Sequence, residues 1–168
     1  MSATGRDASR PAATADREIV ITRVIGAPRE LVFEAFTELR HLSRWWGPDG
    51  FTTDTRAFEF RVGGEWDFVM LGPDGTVYPE WITWTEISPP ERIAMLHGES
   101  RGDLNAFESV VTFELDGAAT RVEMRTLFPT RELRDVAVER YHAIEGGQQT
   151  LGNLAAYVTE IAGTGVES

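Results

Sequence analysis

Residues 106–128, AFESVVTFELDGAATRVEMRTLF, decide the fold class because they contain two β-strand patterns joined by a turn. Side chains on a strand alternate between two faces, so the first segment has one mostly apolar and one polar face. The apolar face carries Phe107, Ser109, Val111, Phe113 and Leu115, and the opposite face carries Glu108, Thr112 and Glu114. Asp116–Gly117 is typical of a tight hairpin turn. The stretch therefore predicts an antiparallel hairpin.

Upstream of this hairpin, the same alternation recurs in five shorter segments. Turn signals such as Gly63–Gly64 and Ser88–Pro89–Pro90 separate several of them. The predicted strands cover residues 18–25, 53–60, 64–71, 76–87 and 91–99. Between the first two strands, residues 27–39 have the apolar spacing of one short helix, or of two with a break before Arg40.

A long helix is predicted downstream, from the N-cap residue Thr130 to about Ala162. Its apolar residues recur every three or four positions, as one face of a helix requires. The predicted stripe contains Leu133, Ala137, Tyr141, Ile144, Gln148, Leu151, Ala155, Val158 and Ala162. Gly146–Gly147 interrupts it and indicates a kink or a close backbone approach, because glycine weakens a helix interior.

About seven strands with a single long helix to cover them predict an α+β domain. A strongly curved antiparallel sheet around one helix does not close completely, which favours a pocket between the two.

The composition of the chain argues against several classes of partner and site. The 168 residues include 16 basic and 27 acidic ones, a net charge of −11, which argues against nucleic acid and anionic membranes as partners. No apolar run approaches the about 20 residues of a membrane span. Without cysteine there are no disulfides and no thiolate sites. We expect a cytoplasmic domain at residues 18–162, between a disordered tail at 1–17 and a short tail at 163–168.

Several motifs, taken in order, resemble a known family. They are APRELVFEAFTELRHLSRWWGPDGF, FRVGGEWDFVM, GPDG, EISPPERI and GGQQTLGNLAAYV. Together they resemble the family related to the C-terminal domain of the activator of the 90-kDa heat-shock-protein ATPase, within the START/Bet v 1-like (SRPBCC) superfamily. The resemblance covers about residues 18–161 and implies a helix-grip fold, with a cavity between the sheet and the C-terminal helix.

The chain departs from that family pattern at three places. EWITW adds bulk where a glycine-containing stretch is usual, and His97 stands where a large aromatic residue is common. Only the tail precedes the domain, whereas the eukaryotic activator has a further N-terminal domain that contributes to chaperone binding. The resemblance therefore implies the fold, and we do not expect a chaperone-activating role.

Alternation within the implied fold predicts a ligand-binding wall that is aromatic and methionine-rich, with few polar tips. Trp81 and Thr83 are predicted to share the inward face, as are Phe107 and Ser109. The predicted ligand-binding residues are Trp46, Trp66, Phe68, Met70, Trp81, Met95, His97, Phe107, Met124, Tyr141, Ile144 and Gln148. The alternative is an ordinary solid core.

Four of these positions, and Trp45 beside them, raise separate questions. Of the adjacent pair Trp45–Trp46, we predict Trp46 to pack inward and the other ring to cap the entrance or stay partly exposed; the alternative is that both pack at the rim. His97 is the best polar candidate, either as a ligand contact or as a satisfied core residue. Tyr141 and Gln148 lie on the buried stripe and need a partner there, either a ligand, a water or a backbone carbonyl.

The remaining features predict structure more than chemistry. Gly63–Gly64 is predicted to be a tight turn or a bulge, since no phosphate-binding pattern surrounds it. His41 and His142 have no metal-ligand spacing with His97, so we predict no metal site and no cofactor. Trp84 falls on the face opposite Trp81, where it either makes a homodimer contact or packs at the rim.

Three functions follow, in decreasing order of preference. The first is binding of a small hydrophobic or amphipathic molecule between the sheet and the helix. The second is a cyclase- or dehydratase-like enzyme acting on a polyketide-type substrate, in which His97, Tyr141 and Gln148 position and protonate a carbonyl. The third is a protein-interaction module at a chaperone, which rests on analogy alone. No residue pattern demands catalysis, so we leave catalytic residues unassigned.

Overall fold

The computed structural model describes residues 14–164 and contains one seven-stranded antiparallel sheet. The strands are β1 (Glu18–Ile25), β2 (Thr52–Phe58), β3 (Glu65–Leu71), β4 (Val77–Ser88), β5 (Arg92–Gly98), β6 (Phe107–Asp116) and β7 (Ala119–Leu127). Their order across the sheet is β1-β7-β6-β5-β4-β3-β2, so β1 and β2 form the two edges. The predicted antiparallel α+β architecture is confirmed.

Four α-helices accompany the sheet in the described residues. They are α1 (Arg29–Glu34), α2 (Leu39–Trp45), α3 (Arg131–Tyr141) and α4 (Ala143–Thr164). The short helices α1 and α2 lie between β1 and β2, as predicted. The helices α1, α2 and α4 contact one another and the sheet, whereas α3 packs mainly on α4 and on residues 15–17.

The hairpin that suggested the fold is formed by β6 and β7. Phe113 pairs with Val122 and Asp116 with Ala119 across the turn. Gly117 in the turn has a φ of +61°, a left-handed conformation that glycine adopts without strain. The predicted hairpin is confirmed, and its polar residues Glu108 and Glu114 are exposed.

The N-terminal boundary lies slightly earlier than expected. Residues 15–17 form a short 3₁₀-helix, and the Arg17 guanidinium donates a hydrogen bond to the Phe128 carbonyl at 2.8 Å. The rest of the predicted N-terminal tail, residues 1–13, lies outside the described residues, as do residues 165–168 of the predicted C-terminal tail. The last helix continues to Thr164.

The predicted single C-terminal helix is wrong in one respect, because it is divided in two at His142. That residue is left-handed, with φ 53° and ψ 47°, and its conformation ends α3. Thr130 caps α3 as predicted: its hydroxyl accepts a hydrogen bond from the Leu133 amide at 3.1 Å. The glycine pair further on does not break α4. A Cβ on Gly147 would lie 3.0 Å from Ile21 Cγ1, so the close backbone approach is confirmed.

The sheet face that meets the helices, here called the inner face, is covered unevenly. One part is fully buried beneath α1, α2 and α4; we call it the closed half, and it comprises Ile25, Trp84, Ile93, Phe113 and Val122. The other part is only half-buried; we call it the open half, and it comprises Tyr78, Glu80, His97, Phe107 and Met124. The strands therefore run from a packed core to an accessible surface.

Candidate functional site

A hydrogen-bonded pair of a glutamate and a histidine lies in the open half of the inner face. His97 Nε2 lies 2.5 Å from Glu80 Oε1, and the two side chains retain 14% and 18% of their exposure. An isolated charge on an apolar surface is costly, and a hydrogen-bonded partner removes much of that cost. The pair leaves the second ring nitrogen of His97, Nδ1, outside the contact with Glu80.

Aromatic rings surround this pair on both sides. The His97 ring lies 4.7 Å from Phe107 and 6.4 Å from Trp46, measured between ring centroids. Trp46 in turn lies 5.2 Å from Trp66, and Phe107 lies 5.2 Å from Phe128. The result is a continuous aromatic strip with one carboxylate and one imidazole in it, which suits a molecule with an apolar body and a polar end.

Strand register explains how Glu80 reaches His97. In the β3–β4 hairpin, Phe68 is opposite Glu80, and residues opposite each other in an antiparallel pair share a face. In the next pair, Ile82 is opposite His97. Glu80 and His97 are thus diagonal neighbours on the inner face.

The sequence analysis missed Glu80 because it assigned the wrong face of β4 to the interior. The structure places Ile82 and Trp84 inward, both with no exposure, and turns Trp81 and Thr83 to the outer face. Leu71 pairs with Val77, so five residues connect the strands. A connection one residue shorter would have turned every β4 side chain to the other face. The GPDG turn signal alone did not fix that length.

Trp81 therefore belongs to an outer-face cluster and not to the predicted wall. The Arg101 guanidinium lies 4.6 Å from the Trp81 ring centroid and bonds Glu65 at 2.8 and 3.2 Å. This hydrogen bond lowers the pKa of the Glu65 carboxyl below its ordinary range. Trp84 is buried, so this residue does not present the exposed indole that one of its two predicted roles, a homodimer contact, requires.

The other predicted wall residues divide into two groups. Trp46, His97, Phe107, Met124 and Ile144 are half-buried on the helix side of the sheet. A second group forms core beside or beneath them and is at least nine-tenths buried: Trp66, Phe68, Met70 and Met95. The structure thus brings about half of the predicted wall to an accessible surface.

Tyr141 and Gln148 do not lie on that wall, which corrects both predictions. Tyr141 ends α3 with 62% of its surface exposed, and Gln148 is exposed on α4. The break at His142 changes the helical phase, so that Gly147, and not Gln148, meets the sheet at Ile21. Because the predicted helical stripe was continued through the break at His142, Gln148 was assigned to the wrong side of the helix.

The tryptophan pair also differs from the prediction. Trp45 is the buried ring: it is 2% exposed and its Nε1 donates to the Ala35 carbonyl at 3.0 Å. Trp46 is half-buried and turns toward Trp66 and His97. The two rings do take different roles, but in the reverse assignment, because Trp45 lies on the packed side of α2 and Trp46 follows its last turn.

The loop that carries Trp46 is anchored to α4. Asn153 Nδ2 donates to the Gly47 carbonyl at 2.9 Å, and Gln149 Oε1 accepts from the Asp49 amide at 3.1 Å. Gly47 has a φ of +103°, and a Cβ there would lie 2.5 Å from Met70 Cε. Trp46 is thus held between α4 and the sheet at one end of the open half.

Two cavities of the described residues 14–164 lie on the outer face. One has a volume of about 380 Å³ and a mixed lining that includes Glu18, Glu108 and Arg125. The other, of about 50 Å³, lies beside Trp81 and Arg101. A cavity between the sheet and the C-terminal helix stays a prediction.

Two further predictions can be compared with the described residues. Gly63–Gly64 forms a turn, with Gly63 at a φ of +85° and both residues bonded through the backbone to Trp84. None of the helices within residues 14–164 is long and apolar enough to cross a membrane.

Comparison with known proteins decides the family. A family model described as Activator of Hsp90 ATPase homolog 1-like protein matches residues 26–159. The chain belongs to this family. Residues Glu80 and His97, and the aromatic rings nearest to them, all lie within the matched range.

Solved structures agree on the fold of this family member. A crystal structure of a protein from Nitrosomonas europaea is 22% identical, with a TM-score of 0.79, and the match covers 89% of this chain and 98% of that one. A solution structure of a protein from Arthrobacter aurescens is 25% identical, with a TM-score of 0.78, and the match covers 87% of this chain and 88% of that one. A crystal structure from Chromobacterium violaceum is 25% identical, with a TM-score of 0.73, 84% and 96% coverage. No curated protein matches the chain.

Proposed function

We propose that the open half binds a small hydrophobic or amphipathic molecule between the sheet and the C-terminal helices. The observation that carries the proposal is the Glu80–His97 pair set among Trp46 and Phe107, where its side chains keep 18% and 14% of their exposure. A fully packed core would have no reason to retain a carboxylate and an imidazole at this place.

Each part of the surface has a role in this proposal. The Phe107 and Trp46 rings and the Met124 side chain cover the apolar body of the ligand. The Glu80 carboxylate accepts hydrogen bonds, and His97 Nδ1 donates or accepts according to its protonation. The ligand class is therefore one with an extended or ringed apolar body and a hydroxyl, carbonyl or amine at one end.

The test begins with native mass spectrometry of freshly purified protein beside the denatured mass of the same sample. An extra mass that disappears on denaturation supports the proposal and identifies the ligand class. The neutral dye Nile red serves as a probe for protein without such a mass. Phe107→Ala should weaken Nile red binding about tenfold through lost aromatic contact.

The control variant is Leu96→Ala, on the neighbouring strand but on the outer face, where Leu96 is 42% exposed. It removes a large apolar side chain without touching the open half, so its Nile red affinity should equal that of the wild type. A bare mass combined with equal affinities for all three proteins would overturn the proposal.

The same pair favours a second candidate function, general acid–base catalysis. A carboxylate at 2.5 Å orients the His97 imidazole, and an oriented imidazole can pass a proton to a carbonyl oxygen. Glu80 here takes the part that the sequence analysis gave to Tyr141 and Gln148, which lie exposed on the helices. The substrate class stays that of a polyketide-type chain with reactive carbonyl groups.

The enzymatic reading is tested with a polyketide-type carbonyl substrate under single-turnover conditions. His97→Ala and Glu80→Gln should both lower the rate, by about a hundredfold if proton transfer limits it. Thr83→Ala, on the outer face of β4, should leave the rate unchanged. Equal turnover by His97→Ala and the wild type rejects this role.

Chaperone binding, a homodimer and a cytoplasmic location stay predictions.

A further inference from the structure

A buried histidine lies beneath two glutamates where α1 meets α2. Glu34 ends α1, Glu38 precedes α2, and His41 lies in the first turn of α2. One ligating atom from each residue lies within 4.8 Å of the other two. The His41 side chain is 7% exposed, whereas the side chains of Glu34 and Glu38 are 49% and 46% exposed. The cluster therefore has a buried base and two half-exposed carboxylates above it.

The two nitrogens of His41 are in different situations. Nδ1 lies 2.6 Å from the Tyr157 hydroxyl on α4. Nε2 is buried without a hydrogen-bond partner and lies 3.6 Å from Glu34 Oε2. A buried polar atom without a hydrogen-bond partner is unfavourable, and a ligand bound at Nε2 would remove that cost. When Nδ1 donates to the Tyr157 oxygen, Nε2 carries its lone pair toward the carboxylates, which is the arrangement of a metal-ligating histidine.

We propose that Glu34, Glu38 and His41 bind a divalent transition-metal ion of the Zn²⁺ type. One imidazole nitrogen, two carboxylate oxygens and a solvent molecule make a four-coordinate set that suits Zn²⁺. Ca²⁺ and Mg²⁺ prefer oxygen ligands alone and gain nothing from His41. Ligand atoms around a tetrahedral Zn²⁺ are about 3.3 Å apart. The half-exposed glutamates can swing inward by the distance needed, while His41 stays in place.

Arg40 competes with the metal for the same carboxylates. Its Nε lies 2.6 Å from Glu38 Oε1 and its Nη2 lies 4.0 Å from Glu34 Oε2. The Arg40 side chain is 67% exposed, and ion pairs in solvent are weak. Zn²⁺ can therefore displace the guanidinium, and an Arg40 variant should bind the metal more tightly than the wild type does.

The site is separate from the open half and from the proposed ligand. A bound ion would join α1 to α2 and, through the His41–Tyr157 hydrogen bond, would hold both against α4. Because the ion binds the native state, it should raise the melting temperature in proportion to the logarithm of its concentration. The sequence analysis compared His41 only with the other histidines and so predicted no metal site.

The experiment titrates the full chain with ZnCl₂ by calorimetry and follows CoCl₂ by visible absorption. Glu34→Gln/Glu38→Gln should weaken Zn²⁺ binding by more than about tenfold and remove the Co²⁺ absorption band. Arg40→Gln should tighten binding by about two- to fivefold. Glu30→Gln, an exposed acidic residue on α1 outside the cluster, is the matched control and should bind like the wild type.

Two measurements test His41 without relying on a core substitution. Tyr157→Phe removes the partner of Nδ1 and should weaken Zn²⁺ binding about tenfold. Zn²⁺ should shift the NMR signals of the His41 imidazole at one equivalent and leave those of His97 and His142 unchanged. Equal affinity of the wild type and the double glutamine variant, or Ca²⁺ binding as tight as Zn²⁺, would overturn the proposal, because a general acidic surface would explain both.

Discussion

The closed and open halves of the inner face are built by the same strands, yet their side chains differ in kind. Along β6, Phe113 and Val111 are at most 1% exposed, Ser109 is 5% exposed and Phe107 is half-buried. Phe33 of α1 and Phe36, which follows that helix, pack edge-on against Phe113 at 5.2 and 5.4 Å. The Phe107 ring instead has the His97 and Phe128 rings beside it, at 4.7 and 5.2 Å, and α3 contributes no buried side chain. The helices, and not the sheet, decide which half is core.

The sharpest test of this comparison uses one change at both ends of β6. Phe113→Ala should reduce the free energy of unfolding by about 3–5 kcal/mol, since it opens a cavity among packed rings. Phe107→Ala should cost less than about 2 kcal/mol, since its ring is only partly removed from water. Urea denaturation followed by tryptophan fluorescence measures both. Equal losses would mean that the open half is packed as tightly as the closed half.

A second test concerns the Glu80–His97 pair of the open half. His97→Leu should destabilise the fold by about 1–3 kcal/mol, because the Glu80 carboxylate is left without its partner on an apolar surface. The double variant Glu80→Leu/His97→Leu should return close to wild-type stability, as apolar replacements of buried pairs often do. Denaturation of the two single variants and the double variant completes the cycle. If the double variant is the least stable of the set, the pair is a stabilising element and not a retained binding feature.

A third and smaller effect distinguishes two positions on α4. Gly152→Ala should stabilise the protein by about 0.5–1 kcal/mol, because alanine is the better helix former and the nearest atom, on Arg23, is 3.7 Å from the new Cβ. Gly147→Ala should lose that gain against Ile21, whose Cγ1 would lie at 3.0 Å. Melting temperatures of the two variants give the comparison. An equal gain at both positions would show that α4 can move away from β1.

The smallest expected effect lies on the outer face, which neither half includes. Arg101 lowers the pKa of Glu65, so this pair stabilises the native state above the unfolded-state value of about 4.3 and loses its contribution as pH falls through the lowered native value. Arg101→Gln should therefore slightly reduce stability at pH 7 and have no effect at pH 2. Denaturation curves at both pH values, with and without 1 M salt as a screening control, check the sign. A difference that persists at pH 2 would assign the effect to the Trp81 contact instead.

Sequence patterns predicted the positions of the strands and helices well, but they predicted less well which side of each element faces the core. Alternation and turn signals located all seven strands, because these are local properties of the chain. The face of β4 that turns inward depends on the length of the connection between β3 and β4. The sequence did not define that length, so Trp81 was predicted to face inward and Glu80 was not predicted as a site residue. The positions at which α4 faces the sheet depend on the left-handed conformation of His142, and the helix propensity of histidine does not predict that conformation. The sequence therefore predicted only part of the candidate site. The alternation within single strands located its aromatic residues. Its carboxylate, Glu80, could be found only from the pairing register of β4 with its neighbours.

The strand order has a consequence for synthesis of the chain. The first strand is held at one edge of the sheet by the last, with Glu18 opposite Leu127. While the ribosome is still producing the middle of the chain, β1 has no neighbour, and its exposed backbone must wait for a partner made more than a hundred residues later. The intermediate strands can pair as they emerge, each with the one before it. Closure of the domain is thus a late event in translation, because the first strand made is the last to be paired.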